Sequence, residues 1–317
     1  LSHIVWGAIK LSNHYAGAKI ASSIFLIWQL RAMNTPDFPI PFVKMSGTGN
    51  DFILIDHRKP IIDPASMAEF AAAVCRRKFS VGADGLILIE DADGADFQWR
   101  FFNADGSVAE MCGNGARCAA RFAFLQGIAP AQMRFSTLAG IIEAEVSGVD
   151  VAVKMTDPVN LQMNQHISIE DHTLTVHSID TGVPHAVVFA DDVNDTNVVI
   201  MGSAIRHHEA FAPAGTNVNF VGLEGDALKV RTYERGVENE TLACGTGAAA
   251  SAIIATLLGK VQSPVGVITS GGDCLTIQFD LDPAQAGSEA APTVANVYLK
   301  GPAHTIYSGN LNAEALL

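Results

Sequence analysis

Two short stretches of this chain are near copies of each other, and they sit at matching distances from matching neighbours. Residues 111–120 read MCGNGARCAA and residues 243–252 read ACGTGAAASA, identical at the Cys, at both Gly and at two Ala positions. The likeness extends upstream. Thr48-Gly49 precedes an apolar stretch over Phe52–Ile55, with Gly49 63 residues before Cys112; Thr181-Gly182 precedes Ala186–Phe189, with Gly182 62 residues before Cys244. Repetition at near-equal spacing predicts two halves of one duplicated unit, related by a pseudo-two-fold axis that can bring the two cysteines face to face across a cleft.

The local pattern around each cysteine predicts a helix that begins there. After Cys112 and Gly113-Asn114-Gly115, small and apolar residues recur with helical spacing at Ala116, Ala119, Ala120, Ala123 and Phe124, and the second copy continues likewise in small residues. Each thiol is thus expected at a helix mouth, where unpaired N–H groups and the positive end of the macrodipole favour an anion and lower a thiol pKa. One cysteine beside glycine more often packs than reacts. Two at mirrored positions allow a particular chemistry: a thiolate removes a proton from a carbon while a thiol returns one to the opposite face, inverting the stereocentre without a cofactor.

Composition narrows the partners. The chain has 317 residues, 49% hydrophobic, with a formal charge of −13, and its mean hydropathy is +0.24. This fits a globular protein large enough for one big core or two medium ones. The acidic balance disfavours nucleic acid and anionic membranes as partners and suits a small ligand with cationic groups. The five cysteines, 75, 112, 118, 244 and 274, form no CxxC pair and have no companion histidines at ligand spacing, so no metal site is expected. An odd count outside a disulfide-dense composition favours a reducing compartment.

In chain order, residues 1–36 hold Lys10, Lys19 and Arg31 but no acid. Their apolar run, Ala21 to Leu30, is too short to cross a bilayer, and a targeting signal remains open. We read this segment as an extension outside the core, with Met33 as the natural start. The first half, residues 42–157, shows strand patterns at Val43–Met45, Phe52–Ile55, Leu86–Ile89, Phe97–Phe102, Met133–Ser136, Ile141–Val146 and Val151–Met155. A helix opened by Asp63-Pro64 presents Met67, Phe70, Ala71 and Val74 on one face, with Cys75 as core. The second half, residues 172–309, shows strands at His172–His177, Val183–Phe189, Val218–Val221, Leu228–Glu234, Cys274–Leu281 and Thr293–Leu299, and an amphipathic helix near Val198–His207. Alternation assigns Cys274 to the core, His207-His208 read as surface polar residues, and Pro283–Pro292 reads as a polar, disordered loop. Many strands with few helices and no strict strand–helix alternation give an α+β class.

Some side chains stand out only weakly by themselves. Asn50 offers a donor and an acceptor to an amino acid, or simply tolerates a left-handed turn. Arg235 has a planar fork suited to a carboxylate, or lies idle on the surface.

The motifs KMSGTGNDF (44–52), FFNADG (101–106), MCGNGARC (111–118), TNVNFV (216–221) and YERG followed by ACGTG (233–247) together resemble the diaminopimelate epimerase family, in order, from about Phe42 to beyond residue 300. The resemblance implies two pseudo-symmetric halves, each a mostly antiparallel sheet wrapped around a central helix, with the site between them. It implies a cofactor-independent epimerase of lysine and peptidoglycan precursor synthesis that is cytoplasmic, acts on a small amino-acid substrate and is compatible with a homodimer. Cys112 and Cys244 become the catalytic pair, and His185 and Glu234 sit beside them and tune their ionisation. The backbone N–H groups of Gly113, Asn114, Gly245 and Thr246 would cradle the reacting carboxylate. Asn50, Asn103, Asn217, Glu234 and Arg235 would hold the rest of the substrate. Two positions depart from many members, which have Asn where Val183 stands and Gln where Gly85 stands, leaving the distal grip less complete. A proline racemase-like enzyme, a redox thiol pair and a pure binding module are the alternative readings. The racemase would not need Asn103, Asn217 and Arg235, the redox pair would need no carboxylate cradle, and the binding module would need no activated thiols.

Overall fold

The computed structural model describes residues 36–170, 172–282 and 292–317; the N-terminal extension to residue 35 and the Pro283–Pro292 loop up to residue 291 lie outside them. The first seven strands are β1 (Ile40–Ser46), β2 (Asp51–Asp56), β3 (Gly85–Glu90), β4 (Phe97–Asn103), β5 (Gln132–Thr137), β6 (Gly140–Ser147) and β7 (Asp150–Lys154). Helix α1 (Met67–Val74) lies between β2 and β3, and helix α2 (Gly113–Leu125) between β4 and β5. There follow β8 (Val159–Ile169), β9 (His172–Asp180), β10 (Pro184–Phe189), helix α3 (Val198–Arg206), β11 (Asn217–Glu224), β12 (Ala227–Glu234), β13 (Asn239–Thr241) and helix α4 (Gly245–Leu257). The chain closes with β14 (Val265–Ile268), β15 (Cys274–Asp282), β16 (Thr293–Pro302) and β17 (His304–Leu311).

Strand pairing repeats. From β17 through β1, β2, β3, β4, β5 and β6 to β7, the successive pairs run antiparallel, antiparallel, parallel, antiparallel, parallel, antiparallel, antiparallel. From β8 through β9, β10, β11, β12, β14 and β15 to β16 the series is the same. The two series meet where β7 pairs antiparallel with β16. The last strand, β17, therefore lies along β1, on the opposite side of the chain's midpoint from its sequence neighbours. The class is α+β, as the strand and helix patterns predict.

Each series wraps one helix. In α2 the small side chains Ala116, Cys118, Ala119, Ala120 and Ala123 are buried, and α4 buries every residue from Gly247 to Ala255. A helix apolar on all sides must be enclosed, and small residues let the strands close around it. Full burial of each large aliphatic side chain, such as Ile253 and Ile254, contributes about 1.5–3 kcal/mol. Helix α1 packs its predicted face, Met67, Phe70, Ala71 and Val74, into a satellite core that includes Cys75. Asp63 caps the short 3-10 turn ahead of α1 by accepting a hydrogen bond from the Ala65 N–H.

One assignment from alternation is corrected. Cys274 is exposed, because Leu275, Ile277 and Phe279 take the inward parity of β15. Phe124, in the last turn of α2, is 40% exposed. His207 and His208 serve as local caps: the His207 ring contacts the Ser203 carbonyl, and the His208 ring accepts from the Ala210 N–H.

Buried thiols make the fold sensitive to alkali. Burial pushes the thiols of Cys75 and Cys118, ordinarily ionising near 9.0, up to about 12. As pH rises above the ordinary value, the unfolded chain releases protons that the folded chain retains, so stability is full below that point and is lost towards the folded value. Each of these thiols should remove up to about 1.4 kcal/mol per pH unit in that window. Denaturant unfolding at about pH 8 and about pH 10 measures this, and a Cys75→Ala/Cys118→Ala protein should lose less stability across the interval than the parent. An equal loss in both would show that other groups carry the effect.

Candidate active site

Cys112 and Cys244 are the N-cap residues of α2 and α4, both with extended backbone, and neither uses its side chain to cap its helix. The helices start there because Ala116 N–H donates to Cys112 O and Ala248 N–H to Cys244 O. Each cysteine keeps some accessible surface while protein closely surrounds its sulfur.

That enclosure overturns the expectation of lowered thiol pKa values. Burial raises Cys112; the N–H groups of Gly115 and Asn114 and the charge of Arg117 pull it down without winning, and Glu234 adds to the rise. Cys244 is pushed up to about 11 by burial first and by Glu234 second, against the Thr246 hydroxyl and the Gly247 N–H. Desolvation of a thiolate outweighs the helix mouth in both places. Glu234 contributes to the rise at both sulfurs, and Cys112 contributes at Cys244. The supporting loops touch, since a Cβ on Gly49 would lie 3.0 Å from Leu242 Cβ and 3.9 Å from Ala243 Cβ.

In the first half, the loop before β2 is tied to α2. Thr48 and Gly49 have φ values of 55° and 89°, so the left-handed residues are these and not Asn50. A β-branched residue there is strained unless held. Thr48 is held twice, by Asn114 Nδ2 donating to its carbonyl and by Arg117 donating to its hydroxyl. Asn114 Nδ2 also donates to Asn50 Oδ1 at 2.8 Å, and Asn50 Nδ2 donates to Asp84 Oδ2 at 3.0 Å. The side chains of Asn50 and Asn114 thus brace each other.

The second half is tied more simply, by the Thr181 hydroxyl donating to Thr246 O at 2.9 Å, while Thr246 Oγ1 lies 3.4 Å from Cys244 Sγ. Parallel pairing sets His185 beside Asn217. Asn217 Oδ1 accepts the Arg235 N–H at 2.8 Å, and its Nδ2 donates to Pro184 O. The Arg235 guanidinium, half-buried, reaches only the carbonyls of Ala214 and Gly215 at 3.4 Å and pairs with no carboxylate among the described residues. Glu234 ends β12, half-buried, and burial raises its carboxyl. His185 is fully buried and its imidazole is pushed down to about 3, by burial first and then by Arg235.

Asn103 ends β4 exposed, with Nδ2 donating to Ser107 Oγ. It faces Gly85 across the β3–β4 ladder. A Cβ on Gly85 would meet Phe101 Cε2 at 2.6 Å and Phe102 O at 2.7 Å, so this backbone leaves no room for a glutamine there. Val183 lies half-buried in the turn between β9 and β10.

The diaminopimelate epimerase family pattern matches residues 42–161 and 177–287. The chain belongs to the diaminopimelate epimerase family. It is 47% identical over 287 residues to the diaminopimelate epimerase of Aquifex aeolicus, covering 87% of this chain and 99% of that protein. It is 40% identical to that of Methanocella arvoryzae, covering 87% and 98%. Among solved structures it resembles a Bacillus anthracis PhzF-family phenazine biosynthesis protein, with a TM-score of 0.63 at 14% identity covering 87% of this chain and 99% of that one. It also resembles a hydroxyproline epimerase from Agrobacterium vitis, with a TM-score of 0.60 at 15% identity covering 87% and 93%. These two likenesses concern the fold. Members of the epimerase family are isomerases acting on a small molecule, and no helix among the described residues is long and apolar enough to cross a membrane.

Two residues of this site escaped the sequence reading. Arg117 and Asn219 both fall inside the family motifs, and each is a polar residue at a core position: Arg117 among buried alanines of α2, Asn219 two residues along β11 from Asn217. A polar side chain at inward parity is the signal that finds them.

Proposed function

We propose that this enzyme inverts one stereocentre of LL-2,6-diaminopimelate to give the meso isomer, using Cys112 and Cys244 as the two acid–base groups. The observation that carries the reading is the pair of cysteines at mirrored helix N-caps, in two halves whose supporting loops meet at Gly49 and Leu242.

The reacting α-carboxylate is held by the backbone N–H groups of Gly113 and Asn114 on one side and of Gly245 and Thr246 on the other. As the α-proton leaves, charge spreads into that carboxylate, so the same donors stabilise the transition state more than the ground state. One sulfur, as thiolate, takes the proton; the other, as thiol, delivers one to the opposite face. Glu234, which burial makes a better proton acceptor than an exposed carboxylate, and His185 help set which sulfur is ionised. The unpaired fork of Arg235 receives the distal carboxylate, with Asn103 and Asn217 near the distal amino acid end and Asn50 bracing the Asn114 cradle. The acidic surface suits neither nucleic acid nor a membrane as partner, and the opposed thiols require a reducing compartment, the cytoplasm. The enzyme acts alone or as a homodimer, through residues 42–157 and 172–309.

Incubation of the reduced protein with LL-diaminopimelate in deuterium oxide should yield meso product carrying deuterium at the inverted carbon. Exchange with proline and none with diaminopimelate would move the protein to the proline racemase reading.

A further inference from the structure

His185 has no exposed surface, and what it can do is set by one neighbour. Asn219, also fully buried, makes three contacts. Its Nδ2 donates to Ala186 O at 3.1 Å and lies 3.0 Å from His185 Nδ1; its Oδ1 accepts from Thr232 Oγ1 at 2.9 Å. A carbonyl only accepts, so Ala186 fixes which end of the Asn219 amide faces the imidazole. The amide therefore presents a donor to Nδ1. Nδ1 must accept, and the ring proton sits on Nε2.

The second ring nitrogen has no such commitment: Nε2 is buried and has no hydrogen-bond partner in the described structure. A buried N–H without an acceptor costs free energy until one arrives. Asn219 is itself pinned from above by the second cysteine motif, because a Cβ on Gly247 would lie 2.2 Å from Asn219 Oδ1 and 3.3 Å from Cys244 Sγ. The amide thus cannot swing away without moving the first turn of α4.

From this arrangement we infer that Asn219 is a positioning residue that locks His185 as a neutral Nε2–H hydrogen-bond donor, so that His185 stabilises an anionic partner in the site and does not take up a thiol proton as imidazolium. The inference rests on the two-thiol reading only for the identity of that anion, a thiolate or the substrate carboxylate. Protonating Nδ1 would set N–H against N–H, and the Arg235 cation nearby opposes an imidazolium as well.

The test reads the tautomer directly. In protein with 15N-labelled histidine, long-range 1H–15N correlation spectra distinguish Nε2–H, Nδ1–H and imidazolium forms, and the His185 signal is assigned by its loss in His185→Gln. The wild type should show the Nε2–H form from about pH 8 down to about pH 5. Asn219→Asp, whose carboxylate accepts from Nδ1–H, should convert His185 to the Nδ1–H or imidazolium form. It should also lower kcat for diaminopimelate inversion at least tenfold and shift the pH profile, with a smaller change in KM. Nδ1–H or imidazolium His185 in the wild type overturns the inference, as does Asn219→Asp with the wild-type tautomer and pH profile. If that variant fails to fold, the wild-type spectrum still decides. Because the spectrum needs no substrate, a wrong tautomer and a wrong reaction are distinguishable: absence of deuterium exchange with diaminopimelate strikes the reaction alone.

Discussion

Cys112→Ala and Cys244→Ala should each abolish conversion of LL-diaminopimelate to the meso isomer, with kcat lower by about 10² to 10⁴ or more. Inversion needs one group on each face of the carbon, so a single remaining sulfur can remove a proton but return it only to the face it came from. The two losses should therefore not add: the double variant should be about as inactive as either single one, as for groups acting as a unit. The fold should survive, because neither cysteine caps its helix through its side chain, and thermal midpoints should stay close to the parent's. Activity is followed by chiral separation of the product with deuterium incorporation. Retention of turnover within tenfold by either single variant would end the two-base account.

Arg117→Ala should be the most destabilising single change in the site region, at about 3–5 kcal/mol. The guanidinium is fully buried, pairs with no carboxylate among the described residues, and donates to Gly47 O, Gly113 O, Thr48 Oγ1 and Asn114 Oδ1. Two effects oppose. Removing an unpaired buried cation relieves a desolvation cost of several kcal/mol, which also explains why burial pulls the Arg117 pKa down. Truncation leaves a cavity costing about 2–5 kcal/mol and several orphaned acceptors at about 1–3 kcal/mol each, and it frees Thr48 from its left-handed conformation. The losses win. Arg117→Met, which fills the space and still removes the charge, should cost less than half as much, yet both variants should lose activity, since Asn114 loses the anchor on its Oδ1. Denaturant midpoints with unchanged m-values give the comparison, and an Arg117→Ala protein within about 0.5 kcal/mol of the parent would show that the guanidinium is not the clamp described.

The repeat needs this clamp on one side only. At the position equivalent to Arg117 the second half has Ala249, and there the Thr181 hydroxyl reaches the helix directly at Thr246 O. The two halves share a fold but solve the same local problem with different residues, a buried arginine on the helix that starts at Cys112 and an alanine at the equivalent position after Cys244.

Much was legible in the chain alone. Duplication, the helix starts at Cys112 and Cys244, the α+β class and most strands follow from repeated motifs and from side chains that alternate because one face is buried. The strands β8 and β17 were not legible, because most of their side chains are exposed; backbone hydrogen bonds hold them, and side-chain periodicity reports burial and not backbone pairing. Nor was the ionisation of the thiols. A helix mouth predicts a lowered pKa, but the energy of a charge depends on how much water the surrounding chain excludes, and residues distant in sequence decide that. The sequence by itself determined which groups are present and that they come in a matched pair. Only the folded chain decided that Arg117 clamps Thr48 and Asn114, that Asn219 fixes the face His185 presents, and that burial outweighs the helix dipole at both sulfurs, since each is a balance among groups that meet only in three dimensions.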